Sequence, residues 1–371
     1  MKYCSHCILP DTRPNTTLDE SGRCNAATIE LKQAIDWEGR QRAFRALVAE
    51  AKARRAPYDC VIPVSGGKDS TWQTVTCLEH GLHPLAVSWR PPGRTRIGRR
   101  NLENLTSLGV DHIDFSINPR VEKRFTALAL ERIGQPAAPM HMALFNIPLS
   151  IALRFGIPLV VWGENSAFEY GGSQALRDGH ELTDEWLDRY GVTGSTTAED
   201  WTGPELSRED LAPYFGPDAA SLKAAGVRPI FLGSYCLWDP QHTWEVASAH
   251  GFVRDERGPR TGLWDFADID DEFISVHHYL KWYKFGLTRL MDNLAFEIRH
   301  GRLNRDEAIE IMRREGDPTP HDDIAAFCRF LDLPVDRFYE IIERFRNLDI
   351  WTKRDGVWVI GDFIVPDWEW T

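Results

Sequence analysis

The stretch from Tyr58 to Thr71 constrains the fold most, because it has the pattern of a buried strand that runs directly into a glycine turn and a helix. Val61, Ile62 and Val64 give the short apolar run of an inner parallel strand. Glycines let the backbone turn sharply and approach a ligand, and the polar residues that follow suit the first turn of a helix. The stretch therefore predicts an α/β protein with a ligand-binding loop at a strand end.

The turn has the sequence Ser-Gly-Gly-Lys-Asp-Ser over residues 65–70. Backbone N–H groups at such a turn, backed by a helix dipole, bind phosphate, and Lys68 adds a positive charge. The spacing is not that of the longer G-x-x-x-x-G-K-[ST] loop. It resembles the PP-loop of ATP pyrophosphatases, which split ATP into AMP and pyrophosphate; the alternative is a glycine turn that caps an ordinary helix. The resemblance implies that the pyrophosphate end of ATP is held by Ser65, Gly66, Gly67, Lys68, Asp69 and Ser70.

Composition narrows the class of protein. The chain has 371 residues, of which 43% are hydrophobic, so it can hold one large core with an appendage or two domains. No apolar run approaches the roughly 20 residues that span a membrane, and the N-terminus has no apolar signal segment. We therefore expect a cytoplasmic protein. The net charge of −12 argues against broad nucleic-acid binding, and seven cysteines fit reduced thiols or a metal site better than disulfides.

The N-terminal cysteines form one complete Cys-x-x-Cys knuckle, Cys4-x-x-Cys7, and one incomplete knuckle, Cys24-x-x-Ala27. Two complete knuckles would make a tetrahedral zinc site, but Ala27 stands where the fourth thiolate would be. Three interpretations stay open: a metal-free remnant, a site completed by His6 or a distant residue, or a zinc or iron–sulfur centre with an open position. The candidate metal ligands are Cys4, Cys7 and Cys24.

The remaining pattern predicts a parallel α/β sheet with helices on both faces. Strands are expected near 82–89, 110–115, 157–162 and 228–232, and a long helix near 31–55. We expect Pro136 and Pro139 to break the chain, a long helix to begin at Asp270, and an edge strand near 357–365. The predicted domains are a cysteine knuckle at 1–30, a PP-loop domain at 31–265 with an insertion near 174–225, and a helical region at 266–371.

Two predicted strands end in further candidate residues, because open α/β sheets bind ligands at the carboxyl ends of their strands. Val87, Ser88 and Trp89 end the second strand, where PP-loop enzymes contact adenine and ribose; the alternative is plain core packing. The strand at 157–162 is followed by Gly163, Glu164 and Asn165. We predict that Glu164 holds Mg²⁺ or orients the substrate, while Asn165 contacts the cofactor or caps a helix.

Basic and aromatic residues supply candidates for the substrate. Arg96, Arg99 and Arg100 belong to the densest basic cluster, which suits polyphosphate or forms a solvated face. The aromatic loop at 234–240 is expected to line an acceptor pocket, and residues 292–299 to support the site or an interface. The other substrate-binding candidates, each with an ordinary structural role as its alternative, are His141, Tyr170, Trp238, His277 and His278.

Several motifs together resemble the N-acetyl sugar amidotransferase family, a group of PP-loop proteins associated with lipopolysaccharide O-antigen biosynthesis. They are the knuckle, the PP-loop, Arg96-Ile-Gly-Arg-Arg-Asn-Leu, Trp162-Gly-Glu-Asn, Ser234-Tyr-Cys-Leu-Trp-Asp-Pro and Phe273-Ile-Ser-Val-His-His-Tyr-Leu-Lys-Trp. The resemblance spans nearly the whole chain. Ala27 departs from it, since the family usually has cysteine there, which puts metal binding by the knuckle in doubt.

The resemblance implies a reaction. ATP, with Mg²⁺, would adenylate the amide oxygen of an N-acetyl group on a nucleotide-linked sugar, and ammonia from a separate glutaminase would displace AMP to give an acetamidino group. Lys68, Asp69 and Glu164 would carry the chemistry. One alternative is a PP-loop sulfurtransferase that thiolates tRNA or a small molecule, suited by three cysteines with an open position; another is a nucleotide-sensing binding protein. The sequence leaves the sugar and the oligomeric state open.

Overall fold

The computed structural model describes residues 1–370. Its strands are β1 (Cys60–Pro63), β2 (Pro84–Trp89), β3 (Asp111–Phe115), β4 (Leu159–Trp162), β5 (Arg228–Phe231), β6 (Trp351–Arg354) and β7 (Val357–Ile360). Its α-helices are α1 (Ile29–Gln33), α2 (Trp37–Ala53), α3 (Lys68–Glu79), α4 (Arg96–Thr106), α5 (Pro119–Ile133), α6 (Ala138–Phe155), α7 (Ser166–Tyr170), α8 (Gln174–Asp178), α9 (Asp184–Tyr190), α10 (Ala219–Ala225), α11 (Pro240–Ala249), α12 (Ile274–Phe285), α13 (Arg289–Arg299), α14 (Arg305–Glu315), α15 (His321–Leu331) and α16 (Val335–Glu343).

Five strands form one parallel sheet in the order β3-β2-β1-β4-β5. The chain runs outward from β1 to β2 and β3, then crosses to β4 and β5 on the other side. This reversal of strand order between β1 and β4 opens a crevice at the carboxyl ends of the two strands. The predicted α/β fold class, a parallel sheet with helices on both faces, is confirmed.

The strands alternate their side chains between two hydrophobic cores. Val61 and Val160 pack under α5 and α6, whereas Ile62 and Val161 pack under α2, α3 and α4. This alternation follows from the period of two in an extended chain, and it explains why the inner strands are apolar on both faces. The segment predicted as an insertion carries α8, α9, α10 and short 3-10 turns, and its Trp201 packs on the first of these cores.

The C-terminal helices and the N-terminal cysteine segment share a third core. Cys4 and Ile8 pack with Leu280 of α12 and Met291 of α13. Strands β6 and β7 form an antiparallel hairpin beside this core, so the predicted tail strand pairs within a hairpin of its own. None of the helices within residues 1–370 has the length and apolarity needed to cross a bilayer.

Several predicted boundaries were wrong for local reasons. The helix expected over 31–55 is split because Thr28 and Asp36 each cap a separate helix, α1 and α2. Pro139 does not break the chain but lies in the first turn of α6, where the missing N–H has no helical partner. The helix expected from Asp270 begins at Ile274.

Candidate active site

The PP-loop adopts a backbone that requires glycine. Gly66 has φ of +91°, and a Cβ there would lie 2.8 Å from the Gly98 carbonyl oxygen and 2.9 Å from the Leu102 nitrogen of α4. Gly67 is the N-cap of α3, so the N–H groups of the next residues face out of the first helical turn. The loop therefore presents backbone donors at the positive end of a helix, which suits an anion.

The two loop serines hold that shape. The Ser65 N–H donates to Ser70 Oγ at 3.1 Å, and the Gly67 N–H donates to Ser65 Oγ at 3.2 Å. These side chain to backbone bonds fix the turn before any ligand arrives, which lowers the entropy cost of binding.

Lys68 and Asp69 form a pair beside the loop. The Lys68 side chain is buried, and its Nζ lies 2.6 Å from Asp69 Oδ2. The other carboxylate oxygen of Asp69 accepts a hydrogen bond from Trp238 Nε1 at 3.0 Å. The structure thus places Trp238, predicted to bind substrate, as the residue that orients Asp69, with its ring packed on Phe296.

Glu164 follows β4 directly across the crevice from the loop. Burial raises the pKa of its half-buried carboxyl to about 7, and the nearby negative charge of Asp69 raises it further. Two carboxylates this close are stabilised when a cation lies between them, and oxygen ligands are those that Mg²⁺ prefers. The donor set of Asp69 and Glu164 therefore fits Mg²⁺ beside the loop.

The two residues that flank Glu164 fix the position of the segment that follows β4. The Gly163 carbonyl accepts from the Gly233 N–H at 2.9 Å, which joins the ends of β4 and β5. The Asn165 side chain caps α7 through the Ala167 N–H and accepts from Trp186 Nε1 at 2.9 Å. Because its amide nitrogen also donates to two carbonyl groups, the Asn165 side chain is fully used by the protein.

A polar pocket of about 480 Å³ opens beside Glu164. It collects five of the predicted site residues, His141, Glu164, Tyr170, His277 and His278. Its walls come from α6, α7, α9, α12 and α13 and from the N-terminal segment. We call this cavity the polar pocket; its charged lining residues besides Glu164 are Arg13, Asp188, Arg189, Asp268, Lys281, Lys284, Arg289 and Asp292.

Two ion pairs in the polar pocket join Asp292, which lies in the segment expected to support the site or an interface, to residues that the sequence did not indicate. Arg289 Nε lies 2.7 Å from Asp268 Oδ2, and Arg13 Nε lies 2.8 Å from Asp292 Oδ1. Arg13 also stacks over the Tyr170 ring at 4.6 Å. Asp268 lies just before Asp270, at which we expected a long helix to begin.

The three histidines are neutral in this setting. Burial lowers the pKa of His141 and of His278 to about 4, and burial together with Lys281 lowers that of His277 as well. His141 Nδ1 lies 2.8 Å from the Ala137 carbonyl oxygen, so it carries the proton and leaves Nε2 as an acceptor. Neutral imidazoles can accept a proton during a reaction.

The residues of β2 are engaged with the protein. The Val87 carbonyl accepts from the Val64 N–H, and Ser88 Oγ bonds the Asp114 carboxylate at 2.8 Å. Trp89 Nε1 donates to Glu122. Their side chains therefore fix the second strand end, where the resemblance places the adenine and ribose.

The predicted arginine cluster divides in two. Arg96, Arg99 and Arg100 are exposed on α4 and lie outside the lining of the polar pocket. Arg94, from the same run, makes a bidentate pair with Asp114 at 2.8 and 2.9 Å. The exposed three keep the solvated-face alternative open, and phosphate binding by them stays a prediction.

The cysteine cluster is well formed. The sulfur atoms of Cys4, Cys7 and Cys24 converge, with 3.6 Å between those of Cys7 and Cys24. Hydrogen bonds from the other two thiols hold the pKa of Cys4 well below its usual range, which suits a thiolate ligand. No fourth metal-ligating side chain joins them within residues 1–370, so His6 is not the missing ligand. Three thiolates fit a metal that takes an external fourth ligand.

A buried Lys32 links the cysteine region to the PP-loop. Its Nζ lies 2.8 Å from Glu169 Oε2 and donates to the Trp238 carbonyl at 3.0 Å. Arg299 in turn donates to the Ala27 and Glu169 carbonyls. The position of Trp238, and through it of Asp69, thus depends on the N-terminal segment.

The comparisons with known proteins bear on the C-terminal region. Residues 263–364 match the family model described as LPS biosynthesis protein WbpG-like, C-terminal domain. This match supports the predicted resemblance to proteins of lipopolysaccharide biosynthesis over the C-terminal region. No curated protein matches it. A solved structure, NMN synthetase from Francisella tularensis, aligns at TM-score 0.33 and 14% identity over 72% of this chain and 94% of that one, too weakly to support an argument.

Proposed function

We propose that the protein is an ATP-dependent, AMP-forming amidotransferase that converts the N-acetyl group of a nucleotide-linked sugar to an acetamidino group. One observation carries the proposal: the PP-loop crevice meets, at Glu164, a polar pocket whose volume of about 480 Å³ suits a small ligand. The match to a lipopolysaccharide-biosynthesis family over residues 263–364 supports a sugar-linked substrate.

The loop binds the triphosphate. Backbone N–H groups after Gly67 and the side chain of Lys68 neutralise the pyrophosphate, which is the leaving group of the first step. Asp69 and Glu164 would hold Mg²⁺, which supplies further positive charge there when it is bound. Trp238 fixes the orientation of the Asp69 carboxylate, since the indole N–H of Trp238 donates to Oδ1 while Lys68 contacts Oδ2.

The reaction balances in two steps. The amide oxygen attacks the α-phosphorus, the bond from this phosphorus to pyrophosphate breaks, and an adenylated imidate forms. Ammonia then attacks the imidate carbon, the bond from carbon to oxygen breaks, and AMP leaves with that oxygen. The attacking nitrogen loses a proton, for which His141 and His278 offer neutral imidazole acceptors.

Ammonia must come from elsewhere. A glutaminase cysteine needs a lowered pKa, whereas burial raises the pKa of the thiols of Cys60 and Cys328, and that of Cys236 to about 11. Within residues 1–370, the thiol with a lowered pKa belongs to the cysteine cluster. These thiols support a separate glutaminase partner.

Product analysis of ATP turnover tests the proposal. The protein is incubated with Mg-ATP, ammonium and a panel of nucleotide-linked N-acetyl sugars, and the products are separated and weighed by mass spectrometry. We expect AMP and pyrophosphate with one class of sugar, which shows the mass change of oxygen replaced by NH. ADP and phosphate would overturn the PP-loop assignment, and a thiolated product from a sulfide arm would establish the sulfurtransferase alternative.

A further inference from the structure

The charges that line the polar pocket do not cancel. Arg13 is paired with Asp292 and Arg289 with Asp268, each within 2.8 Å. Lys281 is different: within residues 1–370 it has neither an ion pair nor a hydrogen bond, although its side chain is half-buried in the pocket wall. The carboxylates of Asp292 and Asp268 attract its ammonium group, but each already forms an ion pair with an arginine.

Lys284 adds a second positive charge on the same helix. Its Nζ donates to the Ile133 carbonyl at 2.8 Å, and no carboxylate in residues 1–370 pairs with it. Residues three apart on a helix share one face, and both lysines line the pocket together. Burial lowers the pKa of each to about 8, so both are largely protonated at neutral pH.

The positive charge of the two lysines lowers the pKa of the neighbouring His277. After burial, Lys281 is the largest contributor that lowers the pKa of His277, and Lys284 acts in the same direction. The other charges not yet counted are Asp188 and Arg189, which are exposed at the rim, and Glu164. The inner pocket beside α12 thus holds the four cationic side chains Arg13, Arg289, Lys281 and Lys284 against the three carboxyl groups of Asp268, Asp292 and Glu164. The two half-buried lysines have no ion pair of their own, and this excess of positive charge costs free energy until an anion fills the pocket.

We propose that Lys281 and Lys284 form a binding site for an anionic group of the acceptor, a phosphate-type group or a carboxylate. Its placement relative to the reacting amide rests on the proposed function. The group enters the polar pocket against α12 and leaves the N-acetyl end toward Glu164. A neutral sugar leaves both half-buried ammonium groups without an ion pair, so the lysines also select against uncharged acceptors.

Binding to the full chain tests this site without turnover. Calorimetry is run with α,β-methylene-ATP saturating the PP-loop, so that added anions cannot bind there. The probes are UDP-N-acetylglucosamine, N-acetylglucosamine 1-phosphate, N-acetylglucosaminuronic acid and neutral N-acetylglucosamine. The variants are K281M, K284M and K281R, with K353M as an exposed lysine control.

We expect K281M and K284M to weaken anionic probes about 10- to 100-fold, as for a lost charge-assisted contact, with little effect on the neutral sugar. K281R should retain much of the binding, and K353M should match the wild type. Equal losses for both phosphate probes identify a phosphate site, whereas a loss confined to the uronic acid identifies a carboxylate site. Added salt should weaken the same contacts.

Two outcomes would overturn the site: no anionic probe binds the wild type at millimolar concentration, or K281M and K284M bind every anionic probe as the wild type does. Melting temperatures exclude misfolding, since removal of an unpaired buried charge should leave K281M at least as stable as the wild type. A lower melting temperature with unchanged binding would show a structural role instead. Anion binding without AMP formation keeps the site and defeats the proposed function.

Discussion

The PP-loop crevice and the polar pocket meet at Glu164 but are built in opposite ways. The loop is six consecutive residues, 65–70, held by two serine bonds of its own. The polar pocket takes its walls from segments as distant as Arg13 and Asp292, which are 279 positions apart. The loop proposed to bind the nucleotide is thus a local property of the chain, whereas the pocket proposed to bind the acceptor is a property of the tertiary structure.

This difference separates two kinds of mutational effect. A change in the loop should abolish ATP chemistry with every acceptor, because the leaving group is the same each time. A change in the pocket should alter which acceptor is used and how well it binds.

Lys68→Met should cause the largest loss. The substitution keeps the length of a buried side chain and removes the positive charge beside the leaving group, so AMP formation should fall about 10²- to 10³-fold. Quench-flow or steady-state AMP release at saturating acceptor measures it, with Lys52→Met as an exposed control. AMP release at the wild-type rate would show that the loop does not serve ATP chemistry.

Glu164→Gln sits at the junction of the two regions and should reduce turnover about 10- to 100-fold. Wild-type activity should fall as the pH drops below about 7, because a protonated Glu164 no longer ligates a cation. The variant should lose that pH dependence. A variant with the wild-type rate and profile would remove Glu164 from the mechanism.

At high pH, Glu164→Gln should also be more stable to unfolding than the wild-type protein. The folded state keeps a proton on Glu164 up to about pH 7, whereas the unfolded chain releases it near pH 4.5, so the free energy of unfolding falls as the pH rises between these values. At pH 8 we expect a gain on the order of 1–3 kcal/mol in urea unfolding. Glu122→Gln, whose carboxyl pKa is raised to about 8 by burial, is the control that should gain stability and keep activity.

Trp238→Phe should reduce turnover less than Lys68→Met or Glu164→Gln, and it should act through the PP-loop alone. The ring stays, but Asp69 loses the N–H that fixes one of its oxygens, so we expect turnover about 5- to 10-fold lower at an unchanged acceptor KM. Trp244→Phe is the matched control, because the buried Nε1 of Trp244 has no hydrogen-bond partner within residues 1–370. A raised acceptor KM in Trp238→Phe would indicate that Trp238 contacts the acceptor, as the sequence predicted.

Ala27→Cys should have the smallest effect on activity, within about twofold. The added thiol restores the spacing of a second knuckle, and a fourth thiolate closes a tetrahedral site, so zinc should resist a chelator longer. Metal content after dialysis against EDTA measures this, with Ala26→Cys as the neighbouring control. Equal zinc retention in both variants would show that position 27 does not face the cluster.

The fold was predictable where the signal was local. The apolar run before Gly66 predicted the central strand, and the two glycines predicted the turn, because both depend on neighbouring residues only. The boundary errors at Pro139 and at the split between α1 and α2 came from competing local signals. A proline both ends helices and begins them, and Asp36 is only one of many polar residues that can cap.

The polar pocket could not be predicted from local sequence signals. His277 and His278 were candidates on the helix predicted to begin at Asp270, but nothing in the sequence pairs Arg289 with Asp268 or leaves Lys281 without an ion pair. Trp238 was placed in the substrate site because aromatic residues suit sugars, whereas the tertiary structure turns its N–H toward Asp69. Pairing of charges depends on which helices pack together, and that is fixed only when the cores form.

The shared core of the N-terminal segment and helices α12 and α13 has a consequence for synthesis on the ribosome. Residues 1–13 emerge before the rest of the chain, yet their packing partners in α12 and α13 lie more than 260 positions later. At about 5–20 residues per second, Arg13 waits roughly 15–55 s for Asp292. The PP-loop and its sheet can form during that interval, but the polar pocket cannot. A nascent chain can therefore form the loop at residues 65–70 well before it can form the polar pocket, and Cys4 and Cys7 spend that time without the core that α12 and α13 provide.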